Sequence, residues 1–582
     1  MYSYASANSS TGTYLSIGGR NNYALQNQDV WLTGSFMRDY LTCNEEEQFH
    51  YGYIVKNETD IQAPLYFMIL HTICSFFVGK FSWWYAFSIN LVAAVLTMIF
   101  LYLLVWELTR QKTFALAVCV SYAFCMWGID TFIYIRMYAL VTAFGTISSY
   151  LHVKLLQGKH RLIPMIGLIT LLGGLTQMYF LVFEGLISAC FCFYYLFQKK
   201  WKLMCSYGIA QLMAVVLFLI VHPYVFAEVT AVNDKMDQTM GFVLECKYLL
   251  RASLLAIADI DLPIYPWGLQ IYLTEAILIL AVILIPINIV FRKEIKKIKL
   301  YERIWNWIWR NVKLLFTERN YFFFVLGIVI PFYHFITVRT SYPTSMGIYT
   351  VRYVFLLYPY VILLGMMLIK GFFHILMNLL KLEEKKYSTY ISTLLISITT
   401  FVFISYSLNC GNKGFYFPKK NLIGVDAMSL GDLPKGADYI TVYAEPFLLD
   451  FMSVYLMDSN QIYPTTPKGL LGSEEKLSSF HSEEAYLLLP VPRAIDLMIE
   501  SDERKNEDKM NDSDDNTTEY TLNDEELVQF QKESYDYYST AVQDHYMKEY
   551  REFFKQHHIG NTFDYVGYTE IFGRLSYVIQ ID

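Results

Sequence analysis

The chain has 582 residues, of which 55% are hydrophobic and 17% are aromatic, and its formal net charge is −7. Soluble domains contain about 45–50% apolar residues, so this excess excludes an ordinary soluble protein for the chain as a whole. The negative net charge offers no global basic surface of the kind that binds nucleic acids. Nine cysteines, most of them within apolar runs, argue against a disulfide framework.

The first part of the chain is polar and lacks the basic head and apolar stretch of a signal peptide. The orientation indicated by the basic loops predicts that residues 1–61 form a first extracytoplasmic loop. Residues 62–407 carry repeated apolar runs near the roughly 20 residues that cross a bilayer. This pattern predicts an α-helical polytopic membrane domain with about ten spans. A shorter stretch at 64–78 predicts an interfacial helix or an incomplete span. The predicted spans are 83–108, 113–130, 134–155, 162–177, 179–197, 202–222, 268–291, 321–337, 351–370 and 388–407.

Lysines and arginines recur after every second predicted span and indicate the orientation, because basic loops stay on the cytoplasmic side. The longest basic loop, 292–319, also contains tryptophans and predicts a basic interfacial helix. The same rule places residues 1–61, the segment around Arg136 and the C-terminal region on the outer side. The predicted protein is therefore a multi-pass protein of the cytoplasmic membrane.

Residues 408–582 read as an ordinary soluble segment and predict a small extracytoplasmic α/β domain. Within it, the stretch near 501–526 is dense in Asp and Glu, which predicts a disordered acidic insertion. The other predicted elements are strands at 439–443 and 485–489 and helices at 446–457 and about 523–557.

Two carboxylates, Glu58 and Asp60, stand just before the first apolar stretch. Pro64 follows them and suits the first turn of a helix, where its missing N–H has no cost. Acidic residues are common near helix N-termini for dipole reasons. The two carboxylates therefore either lie in a solvated loop before a helix or belong to a functional site.

Arg136 lies between two long apolar runs, with Asp130 before it and Tyr138 after it. A fixed positive charge at the edge of a membrane is expensive unless it meets an anion, and arginine does not lose its proton. Arg352, followed by Tyr353, opens a later span in the same way. Each arginine is either an interface anchor that snorkels outward, in the case of Arg136 with Asp130 as its candidate ion-pair partner, or a bidentate ligand of a phosphate or pyrophosphate group.

Four further polar residues, Gln177, Tyr179, Glu184 and His222, occupy membrane or near-membrane positions. Glu184 is costly a few residues into its span, so it either lines a cavity or makes a structural hydrogen bond. The sequence contains no P-loop, HExxH, GxSxG or CxxC motif, and Asp259-Ile-Asp261 alone is a weak metal signal. No resident metal or cofactor is predicted, and a divalent cation is left open.

Three stretches occur in order and, by the predicted topology, on one side: Asp60-Ile-Gln-Ala-Pro-Leu-Tyr-Phe-Met-Ile-Leu-His71, Ile135-Arg-Met-Tyr-Ala-Leu140 and Arg352-Tyr-Val-Phe-Leu-Leu-Tyr-Pro359. Together they resemble the signature stretches of membrane-embedded GT-C glycosyltransferases of the protein O-mannosyltransferase and aminoarabinose transferase type (glycosyltransferase family 39-like). The resemblance covers roughly residues 1–370. Each stretch alone is a weak signal, whereas the three in this order are fairly specific.

The resemblance implies a GT-C-like fold and transfer of a sugar from a polyprenyl-phosphate carrier to an extracytoplasmic acceptor, which is a lipid, a cell-wall glycopolymer or a protein. It also implies a bacterial source and a carboxylate that acts as general base on the acceptor hydroxyl. The residues it assigns are Asp60 and Glu58 as catalytic carboxylates, and Arg136, Tyr138, Arg352, Tyr353 and Gln62 as ligands of the donor lipid phosphate.

The chain departs from the family pattern in two respects. Gln62-Ala-Pro64 replaces a His-Pro-Pro run, and Gln62 can form hydrogen bonds but cannot transfer a proton. The family also has a membrane helix and an Asp-Glu pair just upstream of a stretch that resembles Met1-Tyr-Ser-Tyr-Ala-Ser-Ala-Asn-Ser9. We therefore expect that Met1 is an internal methionine and that the chain as written is catalytically impaired.

Two other classes of protein stay open. A polytopic transporter or flippase predicts internal repeats and broken helices with charges in the middle of the membrane, whereas this sequence shows no repeat and its charges lie towards one side. A non-enzymatic membrane scaffold that presents residues 408–582 is the third interpretation.

Overall fold

The computed structural model of the protein describes residues 2–8, 28–55, 62–223, 225, 320–341, 348–379, 388–410, 430–442, 447–477, 484–490, 543–560, 562–571 and 574–581. Several predictions of the sequence lie outside these residues. They concern Glu58, Asp60, the 268–291 span, the 292–319 helix and the 501–526 insertion.

Up to residue 410 the described chain is almost entirely helical, as its long apolar runs predict. Two 3₁₀ segments, His160–Leu162 and Ile348–Leu357, precede longer helices. The helices are α1 Tyr2–Asn8, α2 Gly34–Leu41, α3 Gly52–Val55, α4 Leu65–Ser75, α5 Trp83–Thr109, α6 Lys112–Phe124, α7 Met126–Ile133, α8 Tyr138–Leu156, α9 Ile163–Thr176, α10 Tyr179–Phe197, α11 Trp201–Val221, α12 Tyr321–Ser341, α13 Tyr358–Leu379 and α14 Ser388–Cys410.

Five helical segments of the described chain are long and apolar enough to cross a membrane. They confirm the prediction of helices of membrane-spanning length, whereas the count of about ten spans stays a prediction. The short stretch at 64–78 forms only the 11 residues of α4. The five segments are Trp83–Thr109, Tyr138–Leu156, Tyr179–Phe197, Trp201–Val221 and Arg352–Met377.

The span predicted at 113–130 is bent in the structure. Helices α6 and α7 meet at an angle of 63° around Cys125, and they count as a sixth candidate span only if the bent pair is taken together. Gly128 permits the bend, because a Cβ at this position would overlap the carbonyl oxygen of Tyr122. Its N–H instead donates to Cys125 Sγ at 3.2 Å.

Helix α1 is buried against α4 and the start of α5. The Tyr4 hydroxyl donates to the Ser82 carbonyl at 2.6 Å and accepts from the Ala86 N–H at 3.0 Å. The Asn8 amide donates to the Leu41 carbonyl at 2.9 Å, which ties α1 to the end of α2. Because Tyr4 and Asn8 are both fully buried, these bonds hold the first residues of the chain firmly against the helical bundle.

Among the described residues, five strands of the C-terminal part and one short N-terminal strand form a sheet in the order β1-β3-β2-β4-β6-β5. Strand β2 pairs in parallel with β3 and β4, whereas β4–β6, β5–β6 and β1–β3 are antiparallel. The segments predicted as strands at 439–443 and 485–489 correspond to β2 and β4. The elements are β1 Leu32–Thr33, β2 Asp438–Val442, α15 Phe447–Leu456, β3 Gln461–Thr465, α16 Pro467–Leu471, α17 Glu474–Leu477, β4 Ala485–Pro490, α18 Gln543–Gln556, β5 Asp564–Ile571 and β6 Arg574–Ile581.

Part of the N-terminal polar region completes this sheet. The short strand β1 extends the edge at β3, and the Asp29 carboxylate accepts from Thr465 Oγ1 at 2.6 Å. Lys476 Nζ donates to the Asp29 carbonyl at 2.7 Å, and Trp31 Nε1 donates to the Lys476 carbonyl at 3.3 Å. Residues 29–33 therefore bind the C-terminal sheet by main-chain pairing and by side-chain hydrogen bonds.

A charged contact strengthens the same attachment and predicts its pH dependence. Asp458 accepts from Arg38 Nη2 at 2.6 Å and lies 3.1 Å from Lys435 Nζ. Hydrogen bonding from Lys435, and then from Arg38, holds the pKa of Asp458 below its ordinary value of 3.8. A carboxylate with a lowered folded pKa stabilises the fold above its unfolded pKa, and this contribution is lost as the pH falls through the folded pKa.

We therefore expect Asp458→Asn to weaken the attachment of residues 28–41 at neutral pH by about 0.5–1 kcal/mol, since the pair is partly exposed. The difference from the wild type should disappear as the pH falls below 3.8. Limited proteolysis of residues 28–41 as a function of pH measures this. Asp39→Asn, a neighbouring exposed acid, is the matched control. An equal effect of both substitutions would contradict the prediction.

Candidate anion-binding site

The turn between α7 and α8 positions Arg136. The amide of Asn90 donates to the carbonyls of Phe132 at 3.0 Å and Tyr134 at 2.8 Å, and this fixes the end of α7. Ser3 Oγ donates to the Ile135 carbonyl at 2.8 Å, so α1 contacts the residue directly before Arg136. These bonds from two other helices satisfy the carbonyls that α7 leaves open at its C-terminus.

Gln62 binds Arg136 directly. Nη2 of Arg136 donates to Gln62 Oε1 at 2.9 Å. This contact joins the segment that enters α4 to the turn before α8. Gln62 therefore orients the guanidinium through a neutral carbonyl and leaves its positive charge uncompensated by this bond.

Arg352 is held by tyrosines. Its Nη1 donates to the Tyr134 hydroxyl at 3.4 Å, and its Nη2 donates to the Tyr353 hydroxyl at 3.2 Å. The guanidinium also lies 5.0 Å from the centre of the Tyr353 ring. Its Nε is buried and has no hydrogen-bond partner among the described residues. Neutral phenols and an aromatic face thus surround a cation that has no ion pair within the described part of the chain.

Tyr138 connects the two arginines. Its ring stacks on Tyr134 at 5.7 Å and meets the edge of Tyr353 at 6.0 Å. Both Arg136 and Arg352 are near enough to act electrostatically on its hydroxyl. The side chain is only 1% exposed. The structure therefore brings together all five residues predicted as donor ligands, and only the carboxylates Glu58 and Asp60 lie outside the described residues.

Two tyrosines of this site were not identified from the sequence. Tyr134 contacts Arg352, and the buried Tyr66 hydroxyl lies within electrostatic range of Arg136. The Tyr66 hydroxyl has no hydrogen-bond partner among the described residues. The sequence signal was present, since Tyr134 precedes Arg136 by two residues, but tyrosine is so frequent in this chain that position alone did not distinguish it.

The arrangement is chemically suited to an anion. Guanidinium groups bind phosphate oxygens in pairs, and phenols are neutral donors that keep the site compact without cancelling its charge. A partly buried arginine whose described neighbours are neutral is costly unless an anion completes the site. We conclude that the geometry favours a tetrahedral or carboxylate anion between the start of α4, the start of α8 and the 3₁₀ segment before α13.

A second buried polar cluster lies within the bundle. The Glu184 carboxylate accepts from Ser148 Oγ at 2.7 Å and from Gln211 Nε2 at 3.2 Å, and it lies 3.6 Å from His152 Nε2. His152 Nε2 is also 2.7 Å from the Tyr207 hydroxyl. Glu184 and His152 are both essentially inaccessible. The sequence left two interpretations of Glu184, which were a cavity-lining residue and a structural hydrogen bond. In the structure, Glu184 belongs to a hydrogen-bond network that joins α8, α10 and α11.

Within the described residues, no group of three or more His, Cys, Asp or Glu side chains is placed to hold a metal ion. No protein-family model matches the sequence, and no curated protein matches it. Any assignment of function therefore depends on the residues themselves.

Proposed function

We propose that the protein belongs to the polyprenyl-phosphate-sugar-dependent glycosyltransferases with a GT-C-like membrane domain. In this proposal the two arginines bind the phosphate of the lipid-linked sugar, and the acceptor is an extracytoplasmic lipid, glycopolymer or protein. The observation that carries the proposal is the partly buried guanidinium of Arg352, whose hydrogen bonds within the described residues all go to tyrosines and which lies beside the same Tyr138 that Arg136 influences.

The chemistry requires two tasks. The acceptor hydroxyl oxygen attacks the anomeric carbon and forms the new glycosidic bond, while the bond from that carbon to the phosphate oxygen breaks and polyprenyl phosphate leaves with the electron pair. A carboxylate takes the hydroxyl proton, and Asp60 and Glu58 are the proposed bases. Arg136 and Arg352 stabilise the charge that develops on the departing phosphate. Gln62 orients Arg136 for this task.

The proposed topology has about ten spans in the cytoplasmic membrane of a bacterium, with the site and the C-terminal domain on the outer side. This orientation is supported by the basic loops of the sequence. It is compatible with the attachment of residues 29–33 to the C-terminal sheet, because both segments must then lie on the same side of the membrane.

A polytopic transporter or flippase is the second candidate, and one observation favours it. The buried Glu184 and His152 lie 3.6 Å apart between helices long enough to cross a membrane. Acid–histidine pairs within membranes occur in proton relays of pumps and transporters. Proton flux into vesicles that contain the purified protein, lost in Glu184→Gln, would support this candidate over the first.

Lipid binding by the purified protein tests the first proposal. In nanodiscs, the protein should bind decaprenyl phosphate much more tightly than decaprenol, which has the same chain without the anion. Native mass spectrometry measures both. Equal binding of the two lipids would contradict a phosphate site. Mass spectrometry of cell-envelope glycans with the gene present or deleted would then identify the acceptor.

A further inference from the structure

Gln177 carries a buried side-chain amide whose hydrogen-bonding atoms have no partner in the described part of the protein. It lies at the junction between α9 and α10 and is 4% exposed. Neither its Oε1 nor its Nε2 has a hydrogen-bond partner among the described residues. Buried side-chain amides are nearly always hydrogen-bonded, and leaving both atoms unpaired costs free energy.

The position of Gln177 links it to the anion site from two directions. Tyr179, two residues later, meets the Tyr353 ring at 5.3 Å, and Tyr353 accepts from Arg352. On the other side, Leu65 at the start of α4 packs with the apolar cluster of Leu175, whose residues flank the same junction. The chain on either side of Gln177 therefore contacts both the helix that follows Gln62 and the segment that carries Arg352.

The chemistry of the amide limits what can bind it. Phosphate oxygens without protons only accept, so a phosphate would pair with Nε2 and leave Oε1 without a donor. A hydroxyl group both donates and accepts, and so it can satisfy either atom, while two neighbouring hydroxyls satisfy both. Gln177 is also neutral, whereas the two arginines already supply the charge that a phosphate requires.

We infer that Gln177 recognises hydroxyl groups of the sugar that is attached to the lipid phosphate. This inference rests on the proposed function, since it assigns the sugar-binding part of the same site. Gln177 then adds affinity for the glycosylated lipid and none for the bare lipid phosphate. An apolar side chain of similar size at this position would relieve the unpaired amide but lose the sugar contact.

The test compares the wild type with Gln177→Leu in nanodiscs, with Gln198→Leu at the exposed end of α10 as the matched control. The probes are decaprenyl phosphate and its glucose, galactose, mannose and N-acetylglucosamine derivatives. The wild type should bind at least one derivative more tightly than the bare lipid. Gln177→Leu should weaken that binding about tenfold and leave the bare lipid unaffected.

Thermal unfolding of the lipid-free protein is a second measurement, because the ligand-binding role and a purely structural role of Gln177 predict opposite shifts of the unfolding midpoint. Because the substitution removes an unpaired buried amide, Gln177→Leu should raise the unfolding midpoint of the lipid-free protein. A lower midpoint together with equal losses for all five lipids would show that the amide is structural, and would overturn the inference. An unchanged sugar preference would show that the amide binds a water only and would also overturn it.

The failures of the two proposals are distinguishable. If the wild type binds bare decaprenyl phosphate but prefers none of the four glycosylated lipids, the role of Gln177 is wrong while the phosphate site stands. If the wild type does not bind bare decaprenyl phosphate, the proposed function is wrong, and this inference fails with it.

Discussion

Replacing Arg136 by alanine should abolish the binding of polyprenyl phosphate. Arg136 supplies one of the two cations around Tyr138, and charged hydrogen bonds to a buried anion contribute more than neutral ones. We expect a loss of affinity on the order of 100-fold or more. Binding of decaprenyl phosphate to the purified variant measures the effect, and membrane insertion should be unchanged because the helices on either side of Arg136 keep their apolar length.

The control for this substitution is Arg110→Ala. Arg110 bonds to Glu107 at 2.6 Å, at the end of α5, whereas α5 contacts the turn before Arg136 through Asn90. Arg136→Lys separates charge from geometry, since lysine keeps the positive charge but cannot bind two phosphate oxygens through a planar fork. Full retention of lipid-phosphate binding by Arg136→Ala would show that our assignment of this residue is wrong.

Substitutions at Glu184 should have the largest effect on stability. Glu184→Ala removes the acceptor of two interhelical hydrogen bonds, from Ser148 and Gln211, and leaves a cavity between α8, α10 and α11. Hydrogen bonds between membrane helices contribute about 0.6 kcal/mol each on average and up to about 1.7 kcal/mol. With the cavity included, we expect a loss of about 2 kcal/mol in the free energy of unfolding.

Thermal unfolding in detergent measures this loss, and Ser397→Ala on the exposed face of α14 is the control. Glu184→Gln keeps an oxygen that accepts from Ser148, so it should destabilise less. The effects of Glu184→Leu and His152→Leu should not add, because both residues belong to one network. Wild-type stability of Glu184→Ala would mean that the cluster does not hold the helices together.

Local patterns predicted the helices well and their interruptions poorly. The spans predicted at 83–108 and 179–197 correspond to α5 and α10, because the length of an apolar run is a local property. The bend between α6 and α7 was not predicted, since it depends on the packing of Gly128 against the Tyr122 carbonyl. Strand β1 has only two residues and becomes a strand because β3 is there to pair with it.

By itself, the sequence determined which side chains are too polar for their surroundings. Arg136, Arg352, Gln177 and Glu184 all stand out because a charge or amide among apolar residues is costly wherever the chain folds. The sequence also determined which segments around these polar residues form helices. These are properties of composition and of spacing along a few turns.

Only the tertiary structure decided which of these residues share a site. Arg352 reaches Tyr134 across 218 residues of chain, and Asp29 reaches Thr465 across 436. Glu184 forms hydrogen bonds within the protein, whereas the side-chain amide of Gln177 has no hydrogen-bond partner among the described residues. Periodicity carries no information about such distant neighbours. They depend on how the helices pack, and that packing distinguishes a polar group that other described residues satisfy from one that they leave without a hydrogen-bond partner.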